Sequence, residues 1–292
     1  MKKHVTIFTK GRRAFEEAPA LLIPRLIDAG CLIEDYVVKF LTHQECRVHY
    51  AKLVGGPYYG QTQSIFDTCP SHFFRVFGDP QVIISIVGED TDPKNCSQNT
   101  IRYILGTGKD NNVLHRSTLE EADDDDKRFW DPVSGFISQY RRDPLAQKMV
   151  EEWLHEHNLA EAKIKKVVFA TDLLRKHDPQ EFISLVGNTL TEHGIQIIYG
   201  FYAQMTVGEV SVLEPNSYQP GSHAYEEFIE RYTLDKAFQF FVQGSEEQIG
   251  KLLPRVSATT EERSKFSSCS ALLVKEYGPD LPGWCWSVKC EL

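Results

Sequence analysis

Residues 111–130 read NNVLHRSTLEEADDDDKRFW and set one imidazole, His115, between an apolar pair and an acidic run of helical character. Asn112 lies three residues before it and Ser117 two after. A neutral imidazole is a competent nucleophile near pH 7, because its pKa is close to ambient pH. The same ring can equally be packed or solvated, so its neighbours must decide. Other reactive candidates are weaker. His155 and His157 are two residues apart, and on a helix such positions face different directions, which argues against a shared metal. The seven cysteines are scattered, odd in number and form no CxxC, which argues against a zinc site and a disulfide framework and for a reducing compartment. The run DDDDK at 123–127 reads as a solvated acidic face with one member free to turn toward His115. GWCWSVKC at 283–290 reads as a packed terminal strand or docking edge.

The elements that must position His115 follow from periodicity. HVTIFT (4–9) is β-branched and aromatic, a strand. FEEAPALLIPRLIDAG follows with apolar residues at helical spacing, Gly30 as its stop and Pro24 expected to kink or restart it. CLIEDYVVKFLT (31–42) predicts a second strand, QECRVHYAKL a short helix, GPYYGQTQSIFDTC a turn and helix, and SHFFRVFG (71–78) a third strand. DPQVIISIVGE fits a strand or a buried helix equally well. From residue 164 the order returns: IKKVVFATD, then PQEFISLVGNTLTEHG, then IQIIYGFYAQMT. AFQFFVQGSEEQIGKLLP echoes HFFRVFGDPQVIISIVGE, with Gly244 in the place of Gly78. The repeat is too long for a solenoid and predicts two related α+β domains in tandem: residues 1–140, a charged connecting helix over 141–163, and residues 164–292.

Bulk properties exclude other classes. Hydrophobic residues make up 41% of the 292 and charged residues 25%, the balance of a globular chain with a real core. A net charge of −9 gives no electrostatic footprint for nucleic acid, though local cations can still hold phosphate. No apolar run approaches membrane-spanning length and the N-terminal apolar run is too short for a signal segment, so a cytoplasmic protein with no membrane partner is expected.

Several residues stand in one order along the first half: Lys10 after the first strand, Tyr50 in VHYAKL, Tyr58 in GPYY, Thr91 in GEDTDP, Arg102 in NTIR, and Asn112, His115 and Ser117 in NNVLHRST. In residue types and spacing, residues 5–130 resemble a nucleoside diphosphate kinase domain. The resemblance implies a ferredoxin-like α/β sandwich with an antiparallel sheet, twice over, and transfer of the terminal phosphate of ATP to a nucleoside diphosphate through a phosphohistidine at His115. It implies that Lys10 and Arg102 neutralise phosphates, that Asn112 and Thr91 donate hydrogen bonds, that Tyr58 stacks on the base and that Tyr50 orders the histidine, with Ser117 also at the nucleotide site. Nucleoside di- and triphosphates would be the partners. Mg2+ would arrive with the nucleotide, so no dedicated metal cage is needed.

Departures from the family pattern are specific. KGRR (10–13) replaces Lys-Pro-Asp-Gly, Ser85 stands near an expected phosphate-gripping arginine, and the glutamate that orients the histidine falls on Asp125 or Asp126, one methylene shorter. Arg75, Arg12, Arg13 and Arg116 are the alternative cations. Losing one charge-assisted phosphate contact costs roughly 1.5–3 kcal/mol, about one to two decades of rate. The second half lacks Asn-x-x-His and ends its first strand in ATD, so a degenerate, non-catalytic domain is expected there, packing on the first in place of a second subunit, with further homo-oligomers open. The alternative reading is a catalytically silent nucleotide-binding or scaffolding protein.

Overall fold

The computed structural model describes residues 2–89, 91–107, 113–159, 164–171, 179–204, 236–244, 269–274 and 287–289. The chain forms two compact units, Met1–Asn158 and Leu159–Leu292. The first contains β1 (Lys3–Thr9), α1 (Arg12–Asp28), β2 (Leu32–Lys39), α2 (His43–His49), α3 (Tyr59–Thr68), β3 (Ser71–Gly78), α4 (Pro80–Val87), α5 (Ile101–Leu105), β4 (Leu114–Arg116), α6 (Ala122–Trp130), α7 (Phe136–Arg141) and α8 (Pro144–Glu156). Its sheet runs β2-β3-β1-β4 with every neighbour antiparallel, the strand order of a ferredoxin-like sandwich.

Alternation along β1 and β3 sorts the core into two faces. Phe8 and Phe73 lie on one, with His49, Phe66 and Phe129 against Phe8. His72 lies on the other, stacked on Phe15 of α1 at 4.1 Å between ring centroids. The turn into α1 is built on Gly11, whose φ of 79° is a left-handed conformation open to glycine.

The helix α1 runs without interruption from Arg12 to Asp28 through both Pro19 and Pro24, so the restart expected at Pro24 does not occur. A proline frees the carbonyl four residues back. Pro19 frees that of Phe15, which accepts from His72 Nε2 at 2.8 Å. Pro24 frees that of Ala20, an exposed residue. The helix closes with Gly30 N–H donating to the Ile27 carbonyl and Cys31 N–H to that of Leu26, a paired C-terminal cap that needs the positive φ of Gly30, 74°. DPQVIISIVGE forms the helix α4, fixed by the Asp79 side chain accepting from Gln81 N–H, with Pro80 in the first turn.

Residues past 140 belong to the first compact unit up to Asn158. Val150 and Leu154 of α8 are buried, and Trp153 Nε1 donates to the Thr68 carbonyl at 3.0 Å.

The second unit holds β5 (Ile164–Thr171), α9 (Pro179–Glu192), β6 (Gln196–Gln204), β7 (Lys236–Gln243), β8 (Cys269–Val274) and β9 (Ser287–Lys289). Its order, β6-β7-β5-β8-β9, repeats that of the first sheet and adds an edge strand. Two irregular features repeat as well. Gly194 has φ 74°, and the N–H groups of Gly194 and Ile195 donate to the carbonyls of Thr191 and Leu190, as at Gly30. The register of β2 against β3 shifts between Ile33 and Asp35; that of β6 against β7 shifts between Ile197 and Tyr199. GWCWSVKC falls on residues of which only 287–289 are described, as β9.

Candidate functional site

His115 is carried by the three-residue strand β4, which pairs with β1 so that His115 stands opposite Phe8. The ladder continues at both ends, with Lys10 N–H donating to the Val113 carbonyl and Ser117 N–H to that of Thr6. Successive strand residues point to opposite faces, so His115 and Ser117 share the face of Phe8. The imidazole stacks on the Phe8 ring at 4.4 Å between centroids and meets His49 edge-on at 4.5 Å. Only 6% of His115 is exposed.

The partner of both residues is Asp125 on α6. Ser117 Oγ donates to Asp125 Oδ2 at 2.8 Å, and His115 Nε2 lies 3.4 Å from the same oxygen. Helical spacing explains which aspartate turns inward: Ala122, Asp125 and Phe129 are buried at intervals of three and four. Asp126, the other candidate, faces Arg75 instead and accepts from its Nε and NH2 at 2.7 and 2.8 Å.

Two residues not singled out in the sequence complete the cluster. Arg128 NH1 lies 2.5 Å from Asp125 Oδ1 and 3.3 Å from His49 Nδ1. His49 Nδ1 is 3.4 Å from Asp125 Oδ1, and its side chain is 4% exposed. The signals were the His–Tyr pair 49–50 and the Asp125/Arg128 spacing of one helical turn. Burial, the neighbouring His49 and Lys10 together outweigh the Asp125 contact and push the His115 pKa down from 6.5 to about 3, so the ring is neutral at pH 7. Burial alone would raise the Asp125 carboxyl. Hydrogen bonds from His115 and His49 outweigh it and hold the group well below its usual range.

The remaining nominated residues divide. Lys10 Nζ lies over the Tyr50 ring at 5.2 Å, and that ring lies 6.1 Å from the imidazole of His115. Tyr58 precedes α3 and is 48% exposed. Thr91 is exposed, its hydroxyl donating to the Asp92 carbonyl at 3.3 Å. Asn112 lies outside the described residues. Arg102 is fully buried, and its guanidinium donates to the carbonyls of Glu89 and Leu114, the second at 2.9 Å. It thereby ties the chain after α4 to the strand that carries His115. Ser85 is exposed and donates to the Val82 carbonyl. Of the alternative cations, Arg75 also meets Glu34, Arg12 and Arg13 pair with Glu16 and Glu17, and Arg116 is buried with NH1 donating to the Ser117 carbonyl.

His49, His115 and Asp125 offer atoms within 4.8 Å of one another, the group types of a metal centre, but the Arg128 guanidinium stands among them as the local cation. His155 and His157 do not act together: His157 stacks on Trp153 at 4.2 Å, and His155 is exposed. A cavity of about 390 Å³ beside Lys39, Glu45, Phe136 and Tyr140 shares no lining residue with this cluster. Among the described residues, no helix is long and apolar enough to cross a membrane.

The family model for nucleoside diphosphate kinase matches residues 17–133, a stretch that leaves out Lys10 and the alternative cations Arg12 and Arg13. Among solved structures, the chain is similar to the nucleoside diphosphate kinase of Aquifex aeolicus, at 21% identity over 42% of this chain and 91% of that one, with TM-score 0.38. It is similar to that of Encephalitozoon cuniculi at 19% identity, over 43% and 86%, with TM-score 0.39. For the Halobacterium salinarum enzyme in complex with CDP, the figures are 18% identity, 46% and 91%, and TM-score 0.41. No curated protein sequence matches the chain.

Proposed function

We propose that the first unit is a phosphotransferase that moves the terminal phosphate of ATP to a nucleoside diphosphate through a phosphohistidine at His115. The observation that carries this reading is the arrangement of His115, Ser117 and Asp125. An ionised carboxylate only accepts hydrogen bonds, so the ring proton belongs on Nε2 and the lone pair on Nδ1. That nitrogen attacks the terminal phosphorus in line; an N–P bond forms as the bridging P–O bond breaks, and ADP leaves with the bond's electron pair. A terminal oxygen of the incoming diphosphate then takes the phosphoryl group and restores the imidazole, giving ping-pong kinetics. The protein's part is positioning and charge. Lys10 supplies a cation beside Tyr50, and the exposed Tyr58 offers a face that any base can stack on. Thr91 and Asn112 remain the proposed donors to nucleotide oxygens.

Among the described residues, the carboxylate nearest His115 is engaged by Ser117, His115 and Arg128, and they present no oxygen cage there. That fits an Mg2+ held mainly by phosphate oxygens and water, which would spread the charge on the transferring group.

The second unit is proposed as a non-catalytic copy of the first, supported by the repeated strand order, helix cap and register shift. The rival reading, a silent nucleotide-binding protein, is favoured by two observations: Arg102 is committed to the carbonyls of Glu89 and Leu114, and Ser85 stands where a further cation was expected.

Incubation with [γ-³²P]ATP, followed by a nucleoside diphosphate chase, tests the proposal. Alkali-stable, acid-labile label on the wild-type chain, absent from His115→Ala and discharged by the chase, is expected. Nucleotide binding without any label would establish the rival.

A further inference from the structure

The Asp125 carboxylate is 1% exposed. Keeping such a group ionised is costly unless an opposite charge accompanies it. Among the described residues, its polar side-chain neighbours are Ser117 Oγ, His115 Nε2, His49 Nδ1 and Arg128 NH1. Ser117 is a neutral donor and His115 is uncharged at pH 7. Arg128 holds a permanent positive charge at 2.5 Å, and its side chain is 30% exposed. Its NH1 also faces His49 Nδ1, so α2 and α6 converge on one guanidinium. The arginine lies three residues after Asp125, on the same side of α6.

We infer that Arg128 is a positioning residue that fixes which ring nitrogen of His115 bears the proton, acting through Asp125. This rests on the proposed function, because only there does the lone pair on Nδ1 matter. The His115–Asp125 pair shares one proton when Asp125 is ionised, and that proton sits on Nε2. A second proton taken from solvent can make a neutral carboxylic acid that donates to Nε2, which moves the ring proton to Nδ1. It can instead make an imidazolium beside a carboxylate. Nδ1 carries a proton in both products, so both block formation of the N–P bond. Arg128 disfavours that second proton electrostatically, as does Lys10, the cation over the Tyr50 ring. His49 faces the same carboxylate from α2.

Removal of Arg128 therefore raises the pH at which the pair takes up its second proton. Nitrogen-15 spectra of histidine-labelled full-length protein, recorded without nucleotide, report the protonation of Nδ1 and Nε2 of His115 directly. For Arg128→Met the midpoint for protonation of Nδ1 is expected to rise by about one to three pH units. Arg128→Lys should return most of the shift, since it restores the charge. The pH below which label uptake fails should rise in step with that midpoint, while KM for ATP at pH 7 stays the same. Should Arg128→Met not fold, Arg128→Gln reads the same midpoint with a polar side chain in place. A folded, charge-removing variant whose His115 midpoint equals that of the wild type overturns the inference. Wild-type protein that takes up no phosphate would instead sink the kinase reading, and the spectra would still judge Arg128.

Discussion

His72 Nε2 donates at 2.8 Å to the carbonyl of Phe15, the one that Pro19 deprives of its partner within α1. The other ring nitrogen, Nδ1, lies 2.6 Å from the Tyr36 hydroxyl. A core histidine thus satisfies the carbonyl that Pro19 leaves open in α1, and joins the helix to β2 and β3. His72→Leu leaves the Phe15 carbonyl unpaired and should cost about 1–3 kcal/mol. In a Pro19→Ala background, residue 19 regains its N–H and can bond that carbonyl. The cost of His72→Leu should shrink there, and a double-mutant cycle by urea unfolding measures the difference. Equal costs in both backgrounds would show that the carbonyl is not what His72 serves.

The same ring sets a pH dependence. Burial pushes the His72 pKa from 6.5 down to about 3 despite its bond to Phe15, and His115 is pushed as far. Between roughly pH 3 and 6.5 each of these two histidines therefore binds more protons in the unfolded chain than in the folded one, and Asp35, raised to about 6 by burial, offsets part of this. Stability should rise with pH across that window and be lost as pH falls through it, by up to about 1.4 kcal/mol per pH unit for each histidine. Urea midpoints at a series of pH values test this, and His72→Leu should flatten the profile.

Much of the scaffold was legible in the sequence because its signals are local. The β-branched runs at 4–9 and 71–78 and the Gly30 stop depend on neighbours in the chain. Strand β4 escaped notice because three residues give no periodicity, and pairing with β1 alone defines it. Arg102 and Arg128 show the limit at the site. Residue type marks both as cations and no more, and only packing shows that Arg102 bonds two carbonyls while Arg128 bonds the carboxylate at His115. The choice between Asp125 and Asp126 was open to helical spacing, since 122, 125 and 129 share one face with Ala and Phe.

Asp125→Asn should reduce phosphohistidine formation by about 10–100-fold, because an amide can present its NH2 to Nε2 and favour the wrong tautomer. Asp126→Asn removes the Arg75 pair, away from the imidazole, and should change the rate less than about twofold. Single-turnover labelling of the two variants side by side separates them, and equal losses would remove Asp125 from its assigned role.

Arg102 provides a different contrast. If it holds the chain as the structure shows, Arg102→Lys loses the planar fork that reaches two carbonyls and lowers Tm by several degrees, with KM for ATP unchanged at a permissive temperature. A raised KM with unchanged Tm would mean that the guanidinium swings out to phosphate in solution, as the family resemblance implies.

The two sheets make the last prediction through their registers. In the first, Phe8 faces Phe73 on one side and His115 on the other. In the second, Val168 faces Gln239 and Leu272 in the same way. With β1 and β5 in equivalent places, Leu272 occupies the register position of His115, the proposed nucleophile, and a hydrocarbon side chain has no lone pair to attack phosphorus. His115→Ala in the full chain should therefore abolish all acid-labile label rather than halve it, whereas Leu272→Ala should leave the label on His115 intact. Residual label mapping by mass spectrometry to any histidine beyond residue 163 would show that the second unit has chemistry of its own.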